Sequence, residues 1–261
     1  MWRANSKTMV NKKSLKEPKK IVDFLINNYE FKDNVISIYA MGSFIERTFS
    51  KLSDIDLNIF LKKADFKELY ALRKVIRITE QKFGRKVDTN IISEKELKVV
   101  SSIVFPHKYR HALLIFEIKH YNCLLYGIDI LKDVKIDYAE LYEETIKLLL
   151  TLGYRIRKIY LTSRMIKEAK KQAVKFVIYA CKFALINKGI YVYDNDLVEK
   201  EFLNKFSYLG DLSIVKECFN IYKTYNKRVS LNIFKRAVNF IERLSEERLE
   251  EFLKRKKWKR K

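Results

Sequence analysis

Glycine and proline are both scarce in this sequence, with six and two residues among 261. So few turn formers argue against an all-β fold and against disorder. Three cysteines, Cys123, Cys181 and Cys218, are odd in number and widely dispersed. They supply neither a disulfide framework nor zinc-ligand spacing, and they read as core thiols of a reducing compartment. No stretch approaches 18 apolar residues, so no membrane span is expected. The basic N-terminal residues are not followed by an apolar run, so no signal peptide is expected and the cytoplasm is the expected location. The closest glycines, Gly189 and Gly210, are 21 positions apart, which excludes Walker and GxGxxG phosphate loops. No histidine follows His120, so the C-terminal half has no Arg-x-His ribonuclease motif.

Acidic residues are also outnumbered. Lys and Arg total 54 against 32 Asp and Glu, a formal charge of +22. More than half of the excess sits at the two ends, in residues 1–20 and in the run KRKKWKRK at 254–261. Two readings stay open: solvated basic tails on a lysine-rich protein, or contact with an anionic partner, nucleic acid above all.

What is present is pattern. Residues 15–29 carry Ile21, Phe24, Leu25 and Tyr29 at helical spacing. Residues 35–41 are a β-branched and aromatic run that reads as a strand. Residues 54–61 alternate, with Ile55, Leu57, Ile59 and Leu61 on one face, and read as a second strand. Residues 65–83 read as a helix with Gly84 as its C-cap, and 86–92 as a third strand. Residues 112–119 and 123–126 read as further strands. From about residue 135 the period changes to 3.6, over 138–161, 168–187, 211–225 and 231–253. The expected organisation is an α/β catalytic domain over residues 1–133. A helical bundle over 134–261 is expected to close one side of the cleft.

The chemistry concentrates in residues 41–57 and at Asp88. Asp54 and Asp56 sit at i and i+2 of a strand, so both face one side. Carboxylates that close repel, and a divalent cation offsets the repulsion. Mg²⁺ prefers a few carboxylates plus substrate phosphate oxygens, so Asp54 and Asp56 are expected to hold Mg²⁺ (or Mn²⁺) over a nucleoside triphosphate. Gly42 and Ser43 follow the first strand, where a glycine lets main-chain N–H groups approach phosphate. Asp88 on the third strand completes a three-carboxylate set if that strand lies beside the second. Other features are weaker. His107 and His111 share a spacing of four near Pro106. Glu143 and Glu144 open the helical half, where a solvated helix turn is the commoner reading. Arg155, Lys158 and Lys175 are candidates to neutralise phosphates.

These residues resemble the DNA polymerase β-like nucleotidyltransferase superfamily. Its signature is an apolar residue, Gly, Gly or Ser, about nine to thirteen residues, then Asp-x-Asp between apolar residues. Met41, Gly42, Ser43, Asp54, Ile55, Asp56 and Leu57 match it, and Asp88 stands where the third carboxylate belongs. The resemblance covers residues 35–92. It implies an α+β fold, a mixed sheet with flanking helices, here followed by an all-α helical bundle. It also implies transfer of NMP from an NTP, ATP first among them, with release of pyrophosphate. The order of the two halves, and Leu124-Leu125-Tyr126-Gly127 at their junction, resemble antibiotic-type and minimal nucleotidyltransferases. Those usually continue Gly-Ser with Ala-Arg-Gly, whereas here Phe44-Ile45-Glu46-Arg47-Thr48 follows. Thr48 looks more like enzymes that act on RNA ends, and the +22 charge also favours an RNA acceptor. A small-molecule or protein hydroxyl is the alternative acceptor, and a nucleic-acid-binding module with a vestigial site is the alternative to catalysis.

Overall fold

A computed structural model describes residues 16–42, 54–98, 111–121, 123–132, 135–162, 166–192, 194–224 and 229–258. The chain divides into two compact units, with the division between Asp137 and Tyr138.

The first unit is an α/β layer. Helix α1 (Lys16–Asn27) buries Ile21, Val22, Leu25 and Ile26, one stripe of a 3.6-residue period. Strands β1 (Val35–Ala40), β2 (Ile55–Leu61), β3 (Val87–Ser93) and β4 (Leu124–Gly127) form one sheet in the order β3-β2-β1-β4. The sheet is mixed: β1 runs antiparallel to β2 and β4, and β2 runs parallel to β3. The parallel pair requires a crossover, which α2 (Phe66–Phe83) supplies. Its ends are set by local chemistry. The Asp65 carboxylate accepts from the N–H groups of Lys67 and Glu68, and Gly84 closes the helix at φ 61°, the left-handed conformation glycine adopts without strain. Ile55, Leu57, Ile59 and Leu61 are all fully buried, so the alternating face of β2 belongs to the core.

One expectation fails here. Residues 112–119 are not a strand but lie in α4 (His111–Tyr121); a short α3 (Glu94–Lys98) precedes it. Ala112, Leu113, Ile115 and Phe116 are buried. Their spacing of i, i+1, i+3 and i+4 makes one helical stripe, and a short apolar run carries no period that separates strand from helix. The sheet edge beside β1 is therefore the four-residue β4 alone.

The second unit is an all-helical bundle of α5 (Tyr138–Thr162), α6 (Ile166–Asn187), α7 (Asn195–Lys205), α8 (Ser213–Lys223) and α9 (Leu231–Trp258). Helix α6 is central and packs on the other four. Its Ala173, Ala180 and Ala184 are fully buried, and small side chains there let neighbouring helices approach. Helix α7 was not among the expected helices; it is capped by the Asp194 carboxylate, which accepts from Asp196 and Leu197 N–H. The core is dense in aromatics. Phe202 stacks on Phe206 at 4.5 Å between centroids and meets Phe240 edge-on at 5.8 Å. Truncating Phe202 to alanine is expected to cost about 3–5 kcal/mol, read as a lower midpoint in a urea titration with an unchanged slope. Arg248 is also wholly buried, pairing with Glu247 and Glu251 beneath the Phe206 ring. Cys181 and Cys218 lie in this core and Cys123 in the first unit, all as free thiols. Burial pushes the Cys123 and Cys218 thiols up to about 12. No described helix is long and apolar enough to cross a membrane.

Candidate active site

Two main-chain hydrogen bonds in the sheet assemble the site. The Ile55 N–H donates to Lys86 O at 2.9 Å, which sets the parallel register of β2 on β3. In that register Asp56 lies directly beside Asp88. Neighbours at one register position point to the same face of a sheet, so the two carboxylates are brought together from residues 32 apart. The second bond is at the end of β1, where Met41 N–H donates to Asp56 O at 2.9 Å. That bond lays Gly42 onto Asp56. Gly42 has φ 63°, and a Cβ there would stand 2.0 Å from Asp56 Oδ2 and 2.8 Å from its Cγ. Glycine is thus required twice, by backbone conformation and by contact. Asp54, one residue before β2, is exposed, while Asp56 and Asp88 are half-buried. Ser43 and Thr48 lie outside the described residues, as do His107, the side chain of His111 and most of both basic ends.

The sequence reading missed the row structure around these carboxylates. Lys86 Nζ lies 3.9 Å from Asp54 Oδ2, both side chains being more than half exposed. An exposed pair contributes at most about 1 kcal/mol, so an incoming ligand displaces it easily. Below the Asp56–Asp88 row, Asn90 Nδ2 donates to Asn58 Oδ1 at 2.8 Å, and Asn58 is wholly buried. Tyr39 faces Asn58 from β1 and donates its hydroxyl to Asp129 Oδ1 at 3.0 Å. Burial first, and then the bond to Asp129, pushes the Tyr39 phenol far above its ordinary value, so it remains a donor. The signal was present: Asp54-x-Asp56-x-Asn58 and Lys86-x-Asp88-x-Asn90 are both polar with period two.

The donor set suits a hard cation, being carboxylate oxygens at the mouth of two parallel strands. Among the described residues, no three His, Cys, Asp or Glu side chains are gathered closely enough to hold an ion unaided. Mg²⁺ does not require that, since one or two carboxylates and the phosphates of a substrate suffice. The candidate cations of the second unit are exposed, Arg155 and Lys158 on α5 and Lys175 on α6. Glu143 and Glu144 lie in the second turn of α5, with Glu144 buried.

A mixed sheet with a crossover helix, a glycine pressed on one aspartate and a second aspartate beside it in register defines a nucleotidyltransferase-type unit. A family model described as a nucleotidyltransferase domain matches residues 18–110, a span that includes Gly42, Asp54, Asp56 and Asp88. Among solved structures, the chain is similar in fold to the spectinomycin adenyltransferase AAD(9) from Enterococcus faecialis, crystallised with ATP and spectinomycin. That likeness has a TM-score of 0.57 at 14% identity and covers 90% of this chain and 98% of the other. No curated protein sequence matches the chain.

Proposed function

We propose that the protein transfers a nucleoside monophosphate from an NTP to an acceptor hydroxyl and releases pyrophosphate. The observation that carries this reading is the register pairing of Asp56 with Asp88 under Gly42. The catalytic domain is residues 1–133, and residues 134–261 form the accessory helical bundle. Asp54 and Asp56 hold Mg²⁺ or Mn²⁺, with Asp88 sharing one ion. When bound, the cation stabilises charge on the attacking and leaving oxygens. Gly42 and Ser43 hold the triphosphate by main-chain N–H groups and the serine hydroxyl. Asp88 accepts the proton of the acceptor hydroxyl. The new bond joins the acceptor oxygen to the α-phosphorus, and the bond from that phosphorus to the β-phosphate bridging oxygen breaks. Three free buried thiols agree with a cytoplasmic enzyme.

The acceptor proposed first is RNA, supported by the +22 charge. If RNA binds, affinity should fall steeply between about 50 and 200 mM salt, by about 10³–10⁵ for 6–10 phosphate contacts. Filter binding measures this on the intact protein and on one lacking residues 254–261, where a smaller slope is expected. No binding at about 50 mM salt removes RNA as acceptor. A second reading, a small-molecule acceptor, is supported by the likeness in fold to an adenyltransferase crystallised with ATP and spectinomycin. Labelled NTPs incubated with total RNA, and separately with spectinomycin and a metabolite panel, decide between the two by where the label goes. Label on none of these, with NTP left intact, would remove the transferase reading itself.

A further inference from the structure

The chemistry above uses one face of β3 and leaves its outer edge and opposite face unused. β3 is the terminal strand of the described sheet. Because Ile55 N–H donates to Lys86 O, the main chain of Lys86, Asp88 and Asn90 turns toward β2, and that of Val87, Thr89 and Ile91 turns outward. Both ends of the outward row are satisfied by side chains. Val87 N–H donates to Glu80 Oε1 at 2.9 Å, and Ser93 N–H to Glu96 Oε2 at 2.6 Å. Between them the outward main-chain groups of Thr89 and Ile91 form no hydrogen bond with a described residue.

An open groove of about 340 Å³ runs beside this gap, lined by Thr89 and Ile91 and by Leu69, Ile76, Arg73 and Arg77 of α2. Arg73 and Arg77 are exposed and form no ion pair with a described residue. Phe66, Leu69 and Tyr70, all exposed, extend the same stripe toward the start of α2.

We propose that the outer edge of β3 is a docking site for an extended acidic segment of a partner protein, which adds as a further strand beside Thr89 and Ile91. An open strand row supplies main-chain hydrogen bonds, and side-chain pockets supply selectivity. The spacing fits. Alternate side chains on a strand are about 6.6 Å apart, and residues four apart on a helix rise about 6 Å, so carboxylates two apart on the partner meet Arg73 and Arg77. A second copy of this chain would bring the same two arginines and the same +22 charge, which repel. Nucleic acid can pair with the arginines but has no main chain to match the strand. The site does not depend on the transferase reading.

The test uses the full chain and a labelled synthetic peptide, Glu-Val-Glu-Val-Glu-Val-Glu. Fluorescence anisotropy should show binding of this peptide and not of its Lys-for-Glu counterpart. Arg73→Glu with Arg77→Glu should reverse that preference by at least about tenfold in each direction, with helix content unchanged by circular dichroism. Hydrogen exchange should show at least about tenfold added protection at the Thr89 and Ile91 amides, and none at Asp88 and Asn90, which already face β2. Absence of peptide binding, or binding without protection at Thr89 and Ile91, overturns the proposal. So does a double variant that loses binding of oligouridylate while its peptide binding is unchanged, which would assign the arginines to nucleic acid.

Discussion

Replacing Asp54 and Asp56 together with asparagine is expected to lower nucleotidyl transfer by at least about 10³-fold while leaving the fold intact. Removing a single preorganised group that stabilises transition-state charge costs about 10²–10³, and this double change removes two carboxylates of the proposed metal set. Stability should hold for a specific reason. Asp54 is exposed, in an ion pair with Lys86 that contributes little, and Asp56 is half-buried beside Asp88, so neutralising Asp56 relieves repulsion between like charges. The measurement is pyrophosphate release alongside a thermal melt. Calorimetry supplies a sharper arm, because NTP should bind wild type with Mg²⁺ or Mn²⁺ and lose that affinity in EDTA. Equal affinity with and without EDTA would sink the metal assignment and leave the fold assignment standing. Lys86, 3.9 Å from Asp54, serves as a control: Lys86→Gln should leave the melt unchanged, since an exposed pair contributes little.

Gly42→Val is expected to weaken NTP binding about 100-fold. The clash is immediate, since the first added carbon would stand 2.0 Å from Asp56 Oδ2. Valine also resists a φ of 63°, where a β-carbon costs about 1–2 kcal/mol. The Asp56 carboxylate must therefore swing away or the end of β1 must shift. A displacement of about 1 Å at a site is enough to cost about 100-fold in rate. Ser43→Ala should be milder, about 1 kcal/mol for one neutral hydrogen bond. A Gly42→Val protein with wild-type NTP affinity would remove Gly42 from the site whatever the fold says.

Much of the α/β unit was legible along the chain. The β-branched run at Val35–Ala40 and the alternation from Ile55 to Leu61 identify two strands by composition and period. Gly84 marks the end of α2 because a left-handed glycine acts on its nearest neighbours. Local signals failed where they were ambiguous. ALLIFEIK at 112–119 reads as a strand by composition, yet packing buries it as the helix stripe of α4. Helix α7 escaped because its apolar face is narrow, with only Val198 and Phe202 among its buried apolar residues.

The sequence by itself determined the residue types, their order and which of them share a strand face. Only the tertiary structure decided that Asp56 stands beside Asp88, because that depends on a parallel register fixed across the α2 crossover by the Ile55 to Lys86 bond. It likewise decided that Gly42 presses on Asp56, through the bond from Met41 N–H to Asp56 O. The edge at Thr89 and Ile91, without a strand neighbour among the described residues, has the same origin, since a strand's outward row is defined only by which neighbour it pairs with. Contacts of this kind join residues tens of positions apart. Their energies depend on three-dimensional pairing, to which no local period or composition has access.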